Sequence, residues 1–409
     1  MTIGIDCSRP AAAVRRSIIN RRVTELSSHS VLQTVAGERI LLRYLTRLDT
    51  AMQSLCLHIR TALVVIAALL CSYAAIAAPP AEDPYSFIDL PTDYQDEHPD
   101  WFKASFYNLP EDLDEALSSG KQGLIVYFGQ KHCSYCQALM KDNLSKGDLV
   151  RYLRLHFDVV GLNTHSIEKI TGMDGKTKPI NEFAIAQKAQ LTPTLLFYVK
   201  GRKLALKLVG YHSPYKMRAA LEYVADGHYK TKSFGEYLEH ADPPPQFADE
   251  TLHPDPIFSP PPYALDRSRF AAHMPLLVIF EQPRCHACDV LHSEPLQNPL
   301  VRERLQAFEV VQLNVWDDST PVLTPDGRRT TARKWARQLG LFYTPTLVMF
   351  DERGKEVFRV DSVVQFFRLA NVLRYVADKA YLKYPLFQLW NRDHANEEVR
   401  LQRATRVPK

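Results

Sequence analysis

The chain has 409 residues, of which 46% are hydrophobic, 10% aromatic and 23% charged, and its formal net charge is +4. This length suits two or three domains, and the composition is typical of a globular protein rather than of a disordered chain or a polytopic membrane protein. So small a charge, with no basic stripe in the part expected to fold, is not the pattern of a nucleic-acid-binding protein.

The first patterned segment in the chain is typical of an export signal. A short, weakly basic stretch, residues 52–60, is followed by an almost wholly apolar run, 61–70, and then by Ala-Ile-Ala at 75–77. This order, with small residues where a signal peptidase cuts, predicts a secretory signal peptide over 52–77. We therefore expect an exported, periplasmic protein whose mature chain begins near Ala78.

Residues 1–51 precede this signal and have scattered arginines but no clear apolar period. We interpret them as a spurious or disordered extension, with Met52 as the initiator. The apolar run has two alternative interpretations. One is an uncleaved anchor in the inner membrane, since 61–78 approaches the length that spans a bilayer, and the other is a lipoprotein modified at Cys71.

Residues 78–99 form a polar lead-in, after which apolar periodicity and turn residues predict helices and strands in alternation over 100–240. The helices are predicted at 111–119, 134–143, 181–189 and from Pro214 onward, and the strands at 123–129, 157–163, 194–200 and 204–209. Strands that alternate with helices and end in a hairpin are typical of an α/β domain with a central mixed sheet flanked by helices.

Residues 241–263 contain eight prolines. Such a composition disfavours helix and central strand and favours stiff, extended chain. We interpret this segment as a proline-rich linker, and we expect it to act as a semi-rigid spacer that holds apart the domains on its two sides.

The chain after the linker repeats the chain before it, and position 276 corresponds to position 124, an offset of 152 residues. The apolar run 124–128 (LIVYF) corresponds to 276–280 (LLVIF). The second copy has predicted strands at 276–281 and 309–315, a hairpin over 346–361, and helices from His286, at 331–339 and at 363–378. Two tandem domains of one fold are therefore predicted, at 100–240 and 264–392, with a polar tail over 393–409.

Four of the seven cysteines form two Cys-x-x-Cys pairs, Cys133 with Cys136 and Cys285 with Cys288. Each pair follows an apolar strand and opens a predicted helix, so the first sulfur lies at the positive end of the helix dipole, where its thiolate is favoured. The second cysteine lies one turn later, within reach of a mixed disulfide formed by the first. This pattern predicts the first cysteine of each pair as nucleophile and the second as resolving thiol.

A tetrahedral zinc site is the alternative interpretation of two such pairs. It requires the pairs to converge, whereas here they belong to separate copies of one domain, so we expect no metal at these cysteines. The other three cysteines, Cys7, Cys56 and Cys71, lie before the expected cleavage point. The mature chain would then carry neither a structural disulfide nor a spare thiol.

An apolar strand, a Cys-x-x-Cys helix and a Thr-Pro 60 residues after the first cysteine, at Pro193 and again at Pro345, together resemble the thioredoxin superfamily. Polar insertions over 166–178 and 317–329 resemble those of exported thioredoxin-like proteins of sulfur-oxidation and disulfide-handling systems. The resemblance implies that both prolines are cis and lie beside the active-site sulfurs. It also implies that the backbone of Thr192 and Thr344 pairs with an extended substrate peptide.

The residues around the cysteines depart from the usual family pattern, which has Trp before the first cysteine and Gly-Pro between the two. His132 and Tyr135 take these places in the first pair, and Arg284 and His286 take them in the second. We expect these four side chains to tune the thiolates. The cations should stabilise the thiolates and so make the disulfides more oxidising.

The buried acid of the family also has no counterpart at its usual place, six residues before each nucleophile. Tyr127 and Ile279 stand there instead. The resolving cysteines therefore lack the usual group that removes their proton, unless Glu281 or a water substitutes for it in the second domain.

Together these features predict a periplasmic thiol–disulfide oxidoreductase without a cofactor or metal. Its expected partners are cysteine-containing exported proteins and a membrane thiol–disulfide electron donor or acceptor, and no nucleic acid. Two alternatives belong to other classes: a non-catalytic adaptor that binds extended peptides, and a copper- or zinc-handling thioredoxin-fold protein. The histidines that could favour metal handling do not fall at matching positions in the two repeats; they are His165, His212, His228 and His292.

Overall fold

The computed structural model describes residues 83–241 and 251–394, together with His58. Apart from His58, the predicted signal peptide over 52–77 and the segment before it lie outside the described residues, as does the polar tail beyond residue 394. Among the helices of the described residues, none is long and apolar enough to cross a membrane.

The first domain is a four-stranded mixed sheet with helices on both faces. Its strands are β1 (Gly123–Gly129), β2 (Phe157–Asn163), β5 (Thr194–Val199) and β6 (Lys203–Val209), and a small hairpin of β3 (Lys169–Thr171) and β4 (Thr177–Pro179) lies in the first polar insertion. Its helices are α1 (Leu109–Ser118), α2 (Ser134–Ala138), α3 (Gly147–His156), α4 (Ile180–Ala186), α5 (Pro214–Ala225) and α6 (Phe234–Ala241). The strand order is β2-β1-β5-β6, with β2 parallel to β1 and both other pairings antiparallel.

The central strand β1 shows why the domain has a core on each face of the sheet. All of its residues are buried, as expected of an apolar strand covered on both sides. Because successive side chains point to opposite faces, Ile125 and Tyr127 join the cluster that holds Cys133 and Cys136, whereas Val126 joins the other cluster. The sheet thus presents one face to the cysteine pair.

The second domain repeats this architecture. Its sheet contains β8 (Leu276–Glu281), β9 (Glu309–Asn314), β12 (Thr346–Phe350) and β13 (Glu356–Val360) in the order β13-β12-β8-β9, and a smaller sheet contains β7 (Tyr263–Ala264), β10 (Pro321–Leu323) and β11 (Arg329–Thr331). Its helices are α7 (His286–Ser293), α8 (Pro299–Leu305), α9 (Ala332–Gln338) and α10 (Phe366–Ala377). Two tandem α/β domains are therefore present, as the repeat predicts.

Three helices lie where the sequence analysis predicts none, namely α3, α6 and α8. In α3 the apolar residues do recur at helical spacing, with Leu149 and Leu153 buried, but ten residues give fewer than three turns of the pattern. The start of α8 is fixed by local groups instead, because the side chain of Asn298 accepts a hydrogen bond from the backbone of Leu300 and Pro299 occupies the first turn.

The two domains pack against each other, so the expectation that the linker holds them apart is wrong. Tyr343 and Val363 of the second domain join the core that surrounds the first cysteine pair, and Leu386 joins the other core of the first domain. In return, Leu191 of the first domain joins a core of the second. The buried apolar surface that these side chains share favours association over separation.

The described part of the linker explains why it does not act as a spacer. From residue 251 it lies along the second domain, where the backbone N–H of Ser259 donates to the carbonyl of Val310 at 2.8 Å. Arg302 of α8 donates to the carboxylate of Asp255, and β7 at the end of the linker pairs with β10. From residue 251 onward the proline-rich segment is thus bound along one domain and adds surface to it.

Candidate active site

Both cysteine pairs are disulfides in the structure, and each opens a helix. Cys133 is the N-cap residue of α2, and its Sγ accepts a hydrogen bond of 3.0 Å from the backbone N–H of Cys136. Cys285 is the N-cap residue of α7 and accepts one of 3.2 Å from Cys288 in the same way. The first sulfur of each pair therefore has an amide directed at it, which stabilises a thiolate after reduction.

The Thr-Pro loops lie beside the sulfurs in both domains. The Thr192–Pro193 and Thr344–Pro345 peptide bonds are cis. The hydroxyl oxygen of Thr192 lies 3.4 Å from Cys133 Sγ, and that of Thr344 lies 3.7 Å from Cys285 Sγ. Residues about 60 positions apart in the chain are thus brought to each disulfide.

The first pair is covered by the polar lead-in. The carboxylate of buried Asp89 accepts a 2.8 Å hydrogen bond from the hydroxyl of Tyr135, and the Asp89 carbonyl accepts one of 3.1 Å from the hydroxyl of Ser134. Both donors lie between the two cysteines of the pair. Burial raises the pKa of Asp89, and hydrogen bonds to its carboxylate from backbone N–H groups and from Tyr135 oppose that rise. The lead-in therefore lies across the turn that joins Cys133 to Cys136.

The second domain covers the same site. At the start of α10, the backbone N–H groups of Phe367 and Arg368 donate to the carboxylate of Asp89 at 3.0 and 2.8 Å. The guanidinium of Arg368 lies 3.2 Å from the centre of the Tyr135 ring and donates to the carbonyl of Thr192 at 2.7 Å. A cavity of only about 40 Å³ remains beside Cys133.

Two of the four side chains expected to tune the thiolates lie at this first pair. Tyr135 is buried and its hydroxyl also accepts a 2.8 Å hydrogen bond from the backbone of Gln365, so it ties the first domain to the second. Burial raises the pKa of Tyr135 well above its usual value of 10, which keeps the phenol neutral. His132 is exposed, and its Nδ1 lies 2.8 Å from the carbonyl oxygen of Thr92.

The second pair, in contrast, faces an open groove. Arg284 and His286 are exposed, and His286 Nε2 lies 2.7 Å from a carboxylate oxygen of Asp83. The cavity in front of Cys285 has a volume of about 370 Å³, within the range of small-molecule and peptide side-chain pockets. The two sites therefore differ about ninefold in the volume of the cavity before them, although Cys133 and Cys285 are themselves almost equally buried, at 5% and 8% exposed.

The structure supplies a buried acid to the first domain from outside its sheet. Tyr127, at the place of the usual acid, donates a 2.9 Å hydrogen bond to the carboxylate of Asp96 in the lead-in. A Cβ at Gly129 would collide with that carboxylate and with the Tyr127 hydroxyl. Burial raises the pKa of Asp96 to about 7. Sequence reasoning missed Asp96, although a glycine at the end of β1 hinted that another group occupies the space.

Glu281 is the corresponding acid of the second domain, at the repeat position of Gly129. Its buried carboxylate lies 2.9 Å from Nε2 of His292 and accepts a 2.6 Å hydrogen bond from the side chain of Gln312. His292 lies on α7, one turn after Cys288. Each domain therefore holds one buried carboxyl at the end of its central strand, on the face that carries the cysteines.

The histidines considered for metal handling are dispersed. Burial lowers the pKa of His212 to about 3 and that of His165 to about 4, so both rings are neutral over the physiological range. Within residues 83–241 and 251–394, no three or more His, Cys, Asp or Glu side chains converge as a metal site would require. The cysteines are instead paired within each domain.

A known domain family matches both domains of the chain. The model of the thioredoxin-like domain family matches residues 109–225 and 270–377. One similar solved structure is a thioredoxin-fold protein from Helicobacter pylori, with 25% identity over 29% of this chain and 82% of that one and a TM-score of 0.26. Another is a thioredoxin from Thermus thermophilus, with 27% identity over 29% of this chain and 84% of that one and a TM-score of 0.24. A third is a disulphide isomerase from Xylella fastidiosa Temecula1 (18% identity over 38% of this chain and 100% of that one, TM-score 0.20). No curated protein matches the chain.

Proposed function

The chain belongs to the thioredoxin-like domain family, as its motifs predict, and on that premise we propose that it is a periplasmic thiol–disulfide oxidoreductase acting on cysteine-containing proteins. We further propose that exchange with those proteins takes place at the second pair, Cys285 and Cys288. The observation that carries this assignment is the groove of about 370 Å³ in front of Cys285, where the first pair has a cavity of about 40 Å³.

The exchange is a transfer of two electrons by two displacements at sulfur. In the reduced enzyme the thiolate of Cys285 attacks one sulfur of a substrate disulfide, the substrate S–S bond breaks, and the other sulfur leaves as a thiolate that takes up a proton. The thiolate of Cys288 then attacks Cys285 Sγ and releases the second substrate thiol. The enzyme ends with the disulfide seen in the structure, and the same steps in reverse oxidise a substrate dithiol.

The residues around Cys285 support the first step. The backbone N–H of Cys288 is directed at Cys285 Sγ, and the exposed cation Arg284 precedes it. Both lower the energy of a thiolate at that sulfur. Cys285 is 8% exposed and Cys288 1%, so a substrate in the groove meets Cys285 first.

Glu281 and His292 support the second step. They form a buried acid and base pair on the face of the sheet that carries α7. We propose that this pair takes the proton that Cys288 must lose before it attacks the mixed disulfide. In the usual family pattern a buried acid, which is missing here, has that role.

Export and redox partners are part of the same proposal. The signal-like sequence over 52–77 supports a periplasmic location, where disulfides persist. Turnover then needs a membrane thiol–disulfide donor or acceptor of electrons. Cysteine pairs that are intact in both domains count against the alternative of a non-catalytic peptide-binding adaptor.

The test is insulin-disulfide reduction by the mature chain, with dithiothreitol as reductant, before and after chelation. We expect catalytic turnover that chelation leaves unchanged. An adaptor would not turn over in either condition, and a metal-dependent protein would lose activity with its metal. Titration of each pair against glutathione buffers then gives the direction of electron flow, since about 30 mV corresponds to about 1.4 kcal/mol for this couple.

A further inference from the structure

The groove in front of Cys285 has walls from both domains. From the first domain, the end of α5 nearest Pro214 contributes Tyr215 and α6 contributes Leu238. From the second domain come Trp316, Arg333 and Phe342. A substrate that reaches Cys285 therefore touches a helix pair that belongs to the other domain.

Interdomain contacts fix the wall that the first domain supplies. A Cβ at Gly235 of α6 would lie 3.3 Å from the carbonyl oxygen of Leu341, so the helix lies close against the loop that leads to Thr344. Farther along α6, Glu239 forms an ion pair of 3.2 Å with Arg337 of α9. The groove is thus preformed by domain packing, which lowers the entropic cost of binding.

The lining of the groove combines an aromatic surface with an excess of positive charge. Tyr215 is 56% exposed, and Trp316 and Phe342 add two further rings. Four of the lining side chains are Lys or Arg and one is Glu; they are Lys216, Arg284, Arg333, Arg337 and Glu239. Asp83, which lies against His286 at the edge, offsets part of this charge.

Arg333 is a groove-lining cation that forms no ion pair among the described residues. Its guanidinium carbon lies 5.6 Å from the centre of the Trp316 ring, and its Nε is buried without a hydrogen-bond partner among the described residues. The nearby acid Asp318 is already engaged by the hydroxyl of Thr331 at 2.6 Å. The Nε nitrogen is enclosed, but the Arg333 side chain lines the groove and forms no ion pair in the described part of the chain, so a carboxylate that enters the groove gains a charge-assisted hydrogen bond at the guanidinium.

The carbonyl oxygens of Thr192 and Thr344, the residues before the two cis-prolines, also differ in whether another group already donates to them. That of Thr192 is bonded to Arg368, whereas that of Thr344 has only Cys285 Sγ beside it, at 3.7 Å, among the described contacts. A backbone acceptor in this position can pair with an extended peptide, as the family resemblance implies. The peptide would then run past Cys285 toward Arg333 and the wall of α5 and α6.

We propose that this two-domain groove binds an extended peptide whose cysteine is followed or preceded closely by an acidic residue, with the carboxylate taken by Arg333 and apolar neighbours lying on Tyr215 and Trp316. The proposal rests on the proposed thiol–disulfide exchange and names its substrate class. The first domain is then a specificity element for the second, and not only a second redox module.

The test uses the mature full-length chain and two peptides that differ in one residue. Each carries a cysteine in mixed disulfide with a small thiol reporter, and the neighbour of the cysteine is Glu in one peptide and Lys in the other. We expect a higher kcat/KM for the Glu peptide, and we expect added salt to reduce the preference. The small disulfide of the reporter alone should show no such dependence.

Variants assign the preference to the groove. Arg333→Gln should lower kcat/KM for the Glu peptide about fivefold, which is the upper end of what one partly exposed ion pair contributes. Arg333→Lys should recover part of the lost kcat/KM. Tyr215→Ala should raise KM for both peptides. The matched controls are Arg329→Gln, at the exposed residue of β11, and Phe106→Ala, at a fully exposed ring outside the lining, and both should behave as wild type.

The outcomes separate the two proposals. Equal rates for the Glu and Lys peptides, or an Arg333→Gln variant indistinguishable from Arg329→Gln, would overturn the acidic-peptide groove while leaving the exchange activity intact. Wild-type protein that turns over neither peptide nor the small disulfide would overturn the exchange activity itself. Far-UV circular dichroism of each variant distinguishes loss of fold from loss of binding.

Discussion

The guanidinium of Arg368, in the second domain, donates a 2.7 Å hydrogen bond to the carbonyl oxygen of Thr192, the residue before the cis-proline of the first domain. The family resemblance implies that this backbone pairs with an extended substrate. In the first domain the acceptor is therefore occupied by the chain itself, and Asp89 and Tyr135 close the same site from the lead-in side. The two cysteine pairs are expected to differ in function because their surroundings differ.

The first prediction concerns which pair serves protein substrates. Replacing Cys285 and Cys288 together by Ser should abolish most insulin reduction, because the remaining pair is covered. Replacing Cys133 and Cys136 together by Ser should leave most of it. Turnover rates of the two double variants, measured with insulin and with a small disulfide, check this. The reverse order of activities would contradict it, and complete loss in both variants would indicate an obligatory relay between the pairs.

The second prediction concerns the cover on the first pair. Arg368→Met keeps the volume of the side chain but removes its donors, so the Thr192 carbonyl loses its partner at a cost of roughly 1–3 kcal/mol. In the reduced protein, Cys133 should then react with a bulky maleimide faster than in wild type, while the rate at Cys285 stays constant. Mass spectrometry of the labelled peptides gives both rates.

A matched control for that variant is Arg353→Gln, since Arg353 is an exposed arginine of the same domain between β12 and β13. It should leave both labelling rates and the unfolding midpoint unchanged. If Arg368→Met also left Cys133 as slow as in wild type, the cover would have to come from the lead-in alone.

Much of the fold could be predicted because its signals are local. The buried strands at 123–129 and 276–281 are continuous apolar runs, and the structure has β1 and β8 over the same residues. The repeat at a constant offset then fixed the number of domains. The helix α3 was missed although its apolar residues recur at helical spacing, because ten residues give fewer than three turns of the pattern.

The relation between the two domains could not be predicted from such signals. It depends on single long-range contacts, for example that of Tyr135 with the backbone of Gln365, 230 positions away. Asp96 is a comparable case, because a carboxylate in a polar lead-in looks solvated until the fold brings it to Tyr127. The linker composition favours stiff chain, but stiffness does not determine which surface the linker follows.

The third prediction concerns Asp96. Its pKa is raised from 3.8 to about 7, so between about pH 4 and pH 7 the unfolded chain loses this proton while the native chain keeps it. The free energy of unfolding therefore falls as pH rises through that window, by at most about 4 kcal/mol. Above pH 7 the ionisation of Asp96 changes it no further. Asp96→Asn should flatten the dependence. Urea unfolding of both proteins at pH 4.5, 6 and 8 measures it.

Asp93→Asn is the control for this experiment, because Asp93 is an exposed acid three residues earlier in the same lead-in. It should reproduce the wild-type pH dependence. The absolute stability of Asp96→Asn is not the readout, since its amide nitrogen replaces an oxygen that has no partner in the described structure. A wild-type slope retained in Asp96→Asn would contradict a raised pKa for Asp96.

The fourth prediction separates nucleophile from resolving thiol at the second pair. Cys285 caps α7 and lines the groove, whereas Cys288 is 1% exposed. Cys288→Ser should leave a nucleophile that attacks substrate disulfides but cannot release them, so mixed disulfides should accumulate and be visible on non-reducing gels. Cys285→Ser should trap little, because its remaining thiol is enclosed.

The matched variant Cys136→Ser should trap less protein than Cys288→Ser, since substrate reaches Cys133 only past Asp89 and Arg368. Efficient trapping through Cys288 in the Cys285→Ser variant would overturn the assignment of the nucleophile, and equal trapping by Cys136→Ser and Cys288→Ser would show that the cover on the first pair opens readily.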